Sequence, residues 1–247
     1  MKRLLHWSAI VLALAMTAGP AAALDELKPD PSDPNLFQFV RIRYNGYLGL
    51  LSGGRWGPPP WAHDYPRAEK NLLKIVMELT LIPTTVDSHK VLDMDDPQIM
   101  NYPLLYVSEP GYWNVTAEEA GNLREYLRKG GLVIFDDFRG PQEWENLSQA
   151  MQQVLPESRF EKLEADHPVF HCFYDIESLD MIPPYDVPGP PAFYGLSDEY
   201  GRLVAVANFN TDIGDYWEWA DDAITPISLS NEAFKFGINY IIYGITH

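Results

Sequence analysis

The sequence predicts an α/β fold in which a mainly parallel β-sheet lies between two layers of helices. Leu104-Leu105-Tyr106-Val107 and Leu132-Val133-Ile134-Phe135 are apolar without alternation, the pattern of strands covered on both faces. Segments of helical periodicity separate these runs, as parallel neighbours require because each crossover must carry the chain back along the sheet. Cys172 is the only cysteine, so a disulfide scaffold is excluded and stability must come from packing.

Read from the amino terminus, Lys2 and Arg3 precede an apolar run from Trp7 to Ala18, and Ala21-Ala22-Ala23 offers a small-residue cleavage site. This is the pattern of a secretory signal peptide over residues 1–23, although a short uncleaved anchor shares it. Residues 24–36, with Pro29, Pro31 and Pro34, read as a linker, and 37–247 as one domain long enough to bury a proper core. No later stretch is long and uncharged enough to span a bilayer. The expectation is therefore an exported protein, periplasmic or extracellular, with no membrane insertion after cleavage. Thirty-five acidic against 18 basic residues give a formal net charge of −17, a surface that repels phosphate backbones, so nucleic acid is excluded as an expected partner.

Phe37 to Tyr44 is β-rich and ends in Asn45-Gly46, a turn pair. Pro66 opens a helix to about Thr80, with Leu72, Leu73, Val76 and Leu79 on its inner stripe. Thr84–Leu92 and Leu104–Val107 follow as strands. Thr116 and Glu119 form a capping box for a helix whose inner stripe is Ala120, Leu123 and Leu127, and Gly130-Gly131 stops it. After Leu132–Phe135, a helix from about Pro141 places Trp144, Leu147, Met151 and Val154 inward and ends before Pro156. Residues 157–200 read as irregular, with a proline-rich loop in their latter part. Leu203–Phe209 is a strand, and Ser230 caps a final helix with Phe234, Ile238, Ile241 and Ile242 facing the core.

Taken together, Phe39-Val40-Arg41-Ile42-Arg43-Tyr44, Gly53-Gly54-Arg55-Trp56, His63-Asp64-Tyr65-Pro66, Gly130-Gly131 before an apolar strand, and Gly237-Ile238-Asn239 carry a resemblance. The chain resembles the bacterial domain-of-unknown-function 4159 family over everything after the linker. The resemblance implies a flavodoxin-like three-layer sandwich similar to class I glutamine amidotransferases. Those enzymes place a cysteine nucleophile on a sharp turn after a central strand. Here the comparable strand ends in Asp136-Asp137, and Cys172 lies in an aromatic segment far along the chain, so amidotransfer is not expected.

In open α/β sheets ligands bind outside the carboxyl ends of the strands. Arg43 and Tyr44, Ser108 and Glu109, Asp136 and Asp137, and Asn208 and Asn210 all fall there. Glu109, Asp136 and Asp137, with His63, are the candidate catalytic residues: neighbouring carboxyls can divide into a protonated acid and an ionised base, or hold a divalent cation. The same acids could instead cap turns and helices or pair with Arg41 and Arg43. Arg43, Tyr44, Arg55, Trp56, Trp61 and Asp212 are candidate ligand-binding residues, with Asp215 a weaker member. The loop from Gly53 to Tyr65 holds two tryptophans between prolines, suited either to stacking on sugar or peptide or to plugging the sheet. Asp64 reads either as the N-cap of the helix at Pro66 or as the carboxylate that orients His63 in an acid/base pair, with adjacency in sequence favouring the cap.

No metal-ligand set is identifiable by spacing: Pro168 separates His167 from His171, and Asp212 and Asp215 do not follow a calcium-loop pattern. No cofactor is identified beyond a divalent cation that the acids could take. Two functional expectations result. One is a binding or accessory module for a carbohydrate, peptide or other cell-envelope ligand; the other is a hydrolase using the strand-end carboxylates, with or without a divalent cation.

Overall fold

The computed structural model describes residues 33–46, 58–180, 189–222 and 225–247. From Asp33 on they belong to a compact unit, Pro31–His247, and among the described residues there are seven strands, β1 (Phe39–Arg43), β2 (His89–Asp93), β3 (Leu104–Ser108), β4 (Leu132–Phe138), β5 (Glu161–Lys162), β6 (Ala192–Ser197) and β7 (Leu203–Phe209). They form one sheet in the order β2-β1-β3-β4-β7-β6-β5. The first five in that order are parallel, and β6 runs antiparallel to both β7 and β5. The chain turns one way from β1 to β2 and the other way to β3, which leaves a crevice at the carboxyl ends of β1 and β3.

The two-residue period of the strands divides the core into two layers. Phe39, Leu104, Tyr106, Leu132, Ile134 and Val206 pack against α1 (Arg67–Leu79), α4 (Ile213–Glu218) and α5 (Ile227–Thr246). Val40, Ile42, Leu105, Val107, Val133, Phe135 and Ala205 face α2 (Ala117–Arg128) and α3 (Gly140–Val154) on the other side. All seven residues of β4 are buried, as a central strand covered on both faces requires. The capping box of Thr116 and Glu119 forms as expected. Among the described residues no helix is long and apolar enough to cross a membrane.

Several elements differ from the sequence expectation. Leu79 is 52% exposed rather than part of the inner stripe, because α1 ends there and its last turn projects beyond the sheet. Strand β2 starts only at His89; Thr85 and Ser88 bond to each other in a local turn, and the Thr84 hydroxyl donates to the Phe37 carbonyl ahead of β1. Strand β6 lies within the stretch read as irregular, its pattern obscured by Gly195. The acidic-aromatic segment after β7 holds the short helix α4, and α5 begins at Ile227, three residues before the expected cap, Ser230, which is buried inside the helix. The residues 1–32, and with them the signal-peptide reading, lie outside those described, as do Arg55 and Trp56.

Arg41, at the middle of β1, ties the sheet to the segment ahead of α1. Its guanidinium pairs with Glu69 of α1 and donates to the carbonyls of Trp61 at 3.1 Å and His63 at 2.6 Å. Both members of the pair are 1% exposed. Burial alone would lower the arginine pKa, but Glu69, Tyr106 and Asp64 raise it, so the group stays charged. Removing one partner of such a pair leaves a buried charge uncompensated. Glu69→Ala is expected to cost about 3–5 kcal/mol in urea unfolding; a loss below about 1 kcal/mol, the range of exposed pairs, would contradict this anchoring role.

Candidate functional site

The carboxyl edge of the sheet is built around Asp136. The register sets Ser108 beside Asp136, and period two puts Tyr106, Asp136 and Asn208 on the face covered by α4 and α5. The fully buried Asp136 carboxylate accepts from Tyr106 Oη at 2.7 Å, Asn208 Nδ2 at 2.9 Å, and the backbone amides of Ile213 at 3.1 Å and Gly214 at 2.9 Å. Tyr240 Oη in turn donates to Asn208 Oδ1 at 2.8 Å. Burial pushes the Asp136 pKa up while these four donors oppose the rise. The first amides of a helix lack intrahelical partners, so Asp136 serves as the anchor that fixes α4 against three strands.

Around that anchor a second ring of acids converges. His63 Nδ1 lies 2.7 Å from Asp137 Oδ2, 3.6 Å from Glu109 Oε1 and 3.7 Å from Asp64 Oδ1. Asp212 heads α4, accepting from the Asp215 amide at 2.9 Å. The non-glycine residues with positive φ among those described are Asp64 (64°), Glu109 (48°), Asp137 (58°) and Asn210 (58°). All four stand at this edge, where such conformations, of order 1–3 kcal/mol each, persist only because the surroundings impose them. Asp137 sits where the register of β4 shifts between Phe135 and Phe138, and there its carboxylate meets His63. Asn210 accepts from the Gly140 amide at 3.0 Å and so holds the start of α3.

One ligand atom from each of His63, Asp64, Asp137 and Asp212 can be drawn from a set lying within 4.8 Å of one another. That span suits donors around one cation, whose metal–oxygen distances are about 2.0–2.6 Å. The Asp64 side chain is 0% exposed, and neither of its oxygens accepts from an N–H or hydroxyl donor; the group within hydrogen-bonding reach is the Glu218 carboxyl, another acid. Leaving a buried carboxylate so is costly unless it is protonated or meets a cation. Burial, then the neighbouring acids, push Asp64 and Asp137 well above the usual carboxylate range, and burial with Asp215 and Asp136 does the same for Asp212. Burial would lower the His63 pKa, but Asp64, Asp212 and Glu109 outweigh it and raise it. Gly214 makes the approach sterically feasible: a Cβ there would fall 2.7 Å from both Asp64 Oδ2 and Tyr106 Oη.

The structure thus brings His63, Glu109, Asp137 and Asp212 together, and separates others from them. Arg43 is exposed at the last position of β1 and pairs with Asp93, its register partner on the neighbouring strand β2, rather than with the acids of the edge. Tyr44 is buried and donates to the carbonyls of Ser108 and Glu109, at 3.1 and 2.7 Å, fixing the end of β3 rather than offering a ligand contact. Asp136 is sealed from solvent and positions α4. Trp61 is half-buried against the core around Val40 and Ile42. Asp64 is no N-cap: α1 begins after Pro66 with no side-chain cap, and the Asp64 carboxylate turns inward. Asp215 and Glu218 join the edge from α4, where the i, i+3, i+6 spacing with Asp212 is a signal the sequence already held.

Asp64, Asp137, Asp212 and His63 all have folded-state pKa values raised above their unfolded ones. Their stabilising contribution is complete below the unfolded values and is lost as pH rises through the folded ones. Chelator-treated protein is therefore expected to lose thermal stability as pH rises above the ordinary carboxylate range, and Mn²⁺ to restore it at the upper end. A transition temperature that climbs over that rise in pH without metal would contradict the electrostatic description.

No curated protein shows a significant match to the chain. A protein-family profile described as Domain of unknown function (DUF4159) matches residues 38–245, from the residue before β1 to the last turn of α5, and so takes in every strand and every side chain of the site. The chain belongs to the DUF4159 family.

Proposed function

We propose that this protein is a divalent-cation-dependent hydrolase whose site is the acidic edge of the sheet. The observation that carries the reading is Asp64: a carboxylate with no exposed side-chain surface and no hydrogen-bond donor, facing His63, Asp137 and Asp212. A cation held by those four residues would lower the pKa of bound water and polarise a substrate oxygen. Glu109 is the proton-transfer group. Its side chain is 19% exposed, so it meets both the crevice and solvent, and burial raises its pKa toward the range in which a carboxyl both gives and takes protons near neutrality. In the metal-free chain His63 Nδ1 contacts Asp137; with a cation bound, both side chains would turn to it as ligands, with Glu109 beside them.

The finer description of the fold follows the same reading. The parallel order β2-β1-β3-β4-β7 supports a flavodoxin-like sandwich similar to class I glutamine amidotransferases. The chemistry differs from amidotransfer, since Asp137 stands where those enzymes carry their nucleophilic turn. Cys172 is half-buried, donates to the Asn239 carbonyl at 3.1 Å, and burial pushes its thiol up to about 11. With the amino-terminal signal pattern, the proposal places the activity outside the cytoplasm, on a carbohydrate, peptide or other cell-envelope substrate.

Assay of the purified chain on a panel of esters, amides and glycosides is expected to show turnover with Mn²⁺ that chelation abolishes. Glu109→Gln should lower kcat by about 10²–10⁴-fold while Mn²⁺ affinity is retained. Saturable Mn²⁺ binding without turnover across the panel would contradict the hydrolase reading and favour the cation-dependent binding module.

A further inference from the structure

Asp64 belongs to two groups of ligand atoms. Besides the set with His63, Asp137 and Asp212, it forms a second with Asp215 and Glu218, again with all donor atoms within 4.8 Å of one another. Both of its oxygens are buried and neither accepts from an N–H or hydroxyl donor, so the carboxylate has two atoms with which to serve two sets, and the Glu218 carboxyl of the second set lies within hydrogen-bonding reach of it. Helix α4 makes the arrangement: Asp212, Asp215 and Glu218 recur every three residues, so Asp212 reaches the first set from the head of the helix and the other two line the flank beside Asp64. Gly214, between them, leaves the space that the Asp64 carboxylate occupies.

Charge points the same way. Asp64, Asp137, Asp212, Asp215 and Glu218 bring five carboxylates to the edge, and the Arg41 guanidinium is already matched by Glu69. A single divalent cation offsets fewer than half of those charges, whereas two offset four of the five.

We propose that the crevice binds two divalent cations bridged by the Asp64 carboxylate, one held with His63, Asp137 and Asp212 and the other with Asp215 and Glu218. This rests on the cation site proposed above and extends it. The two positions differ in chemistry. The first includes an imidazole and also admits borderline metals such as Zn²⁺ or Fe²⁺; the second is all oxygen and suits hard ions such as Mg²⁺ or Ca²⁺, and Mn²⁺, a hard ion that tolerates imidazole, can enter both. Two cations about 3.5–4 Å apart stabilise both the attacking and the leaving oxygen of a displacement, which one cation does less well.

The test is calorimetric titration of the metal-free full chain with Mn²⁺, joined to electron paramagnetic resonance of the loaded protein. Two ions per chain with an exchange-coupled spectrum are expected for the wild type. Glu218→Gln should bind one ion and give the uncoupled six-line signal, with circular dichroism confirming that the variant is folded. One ion in both proteins would overturn the second position while leaving the first in place. Two ions in Glu218→Gln would overturn the assignment of Glu218. No binding to the wild type would overturn this inference together with the reading on which it rests.

Discussion

The carboxyl edge of this sheet depends on one buried carboxylate, that of Asp136. Four donors from two neighbouring strands and the head of α4 meet on it, and each would be left unsatisfied in an apolar interior without it. The short helix α4 has only six residues and is too short to be stable by itself. Its place is set by Asp136 at its amino end and by Trp217, whose indole donates to the Ala233 carbonyl of α5 at 2.9 Å. Because α4 carries Asp212, Asp215 and Glu218, the position of the outer acids follows from the inner one. Arg41 does the corresponding work on the other side, holding the carbonyls of Trp61 and His63 so that His63 and Asp64 face the same crevice.

These two anchors impose an electrostatic problem that the chain does not resolve internally. Hydrogen bonding satisfies Asp136, and Glu69 matches Arg41, but Asp64 receives no donor and lies among other acids. The same edge gathers the non-glycine residues of positive φ, so backbone strain and charge repulsion are both concentrated where ligands bind in sheets of this kind. Structures keep such costs only where something offsets them. In the function proposed above, a cation at the donors offered by His63, Asp64, Asp137 and Asp212 would offset that charge.

Much of the fold was legible because it rests on periodicity. The apolar runs at β3, β4 and β7, the capping box of α2 and the stripes of α2 and α3 are local patterns with local causes. Position relative to the strand ends was enough to nominate Glu109, Asp137 and Asp212, and His63 was nominated from its loop. Arg43 and Tyr44 share the same address but fail on side-chain direction, which depends on the β1–β2 and β1–β3 pairings rather than on sequence position. Asp64 was obscured by Pro66: an acid ahead of a helix-opening proline looks like a cap, and only its left-handed backbone conformation turns the carboxylate inward. Asp215 was nominated with Asp212 as a weaker member, but Glu218 required the recognition of α4, whose aromatic and acidic residues resemble a turn until Asp136 is seen to hold its first amides.

The central claim is that Asp64, Asp137, Asp212 and His63 hold a cation. The measurement that tests it most directly is anomalous diffraction at the manganese edge from crystals of the chain grown with Mn²⁺. The account predicts a peak about 2.0–2.6 Å from carboxylate oxygens of Asp64, Asp137 and Asp212. A map with no peak there, and with the Asp64 oxygens hydrogen-bonded to protein donors or ordered water, would contradict it.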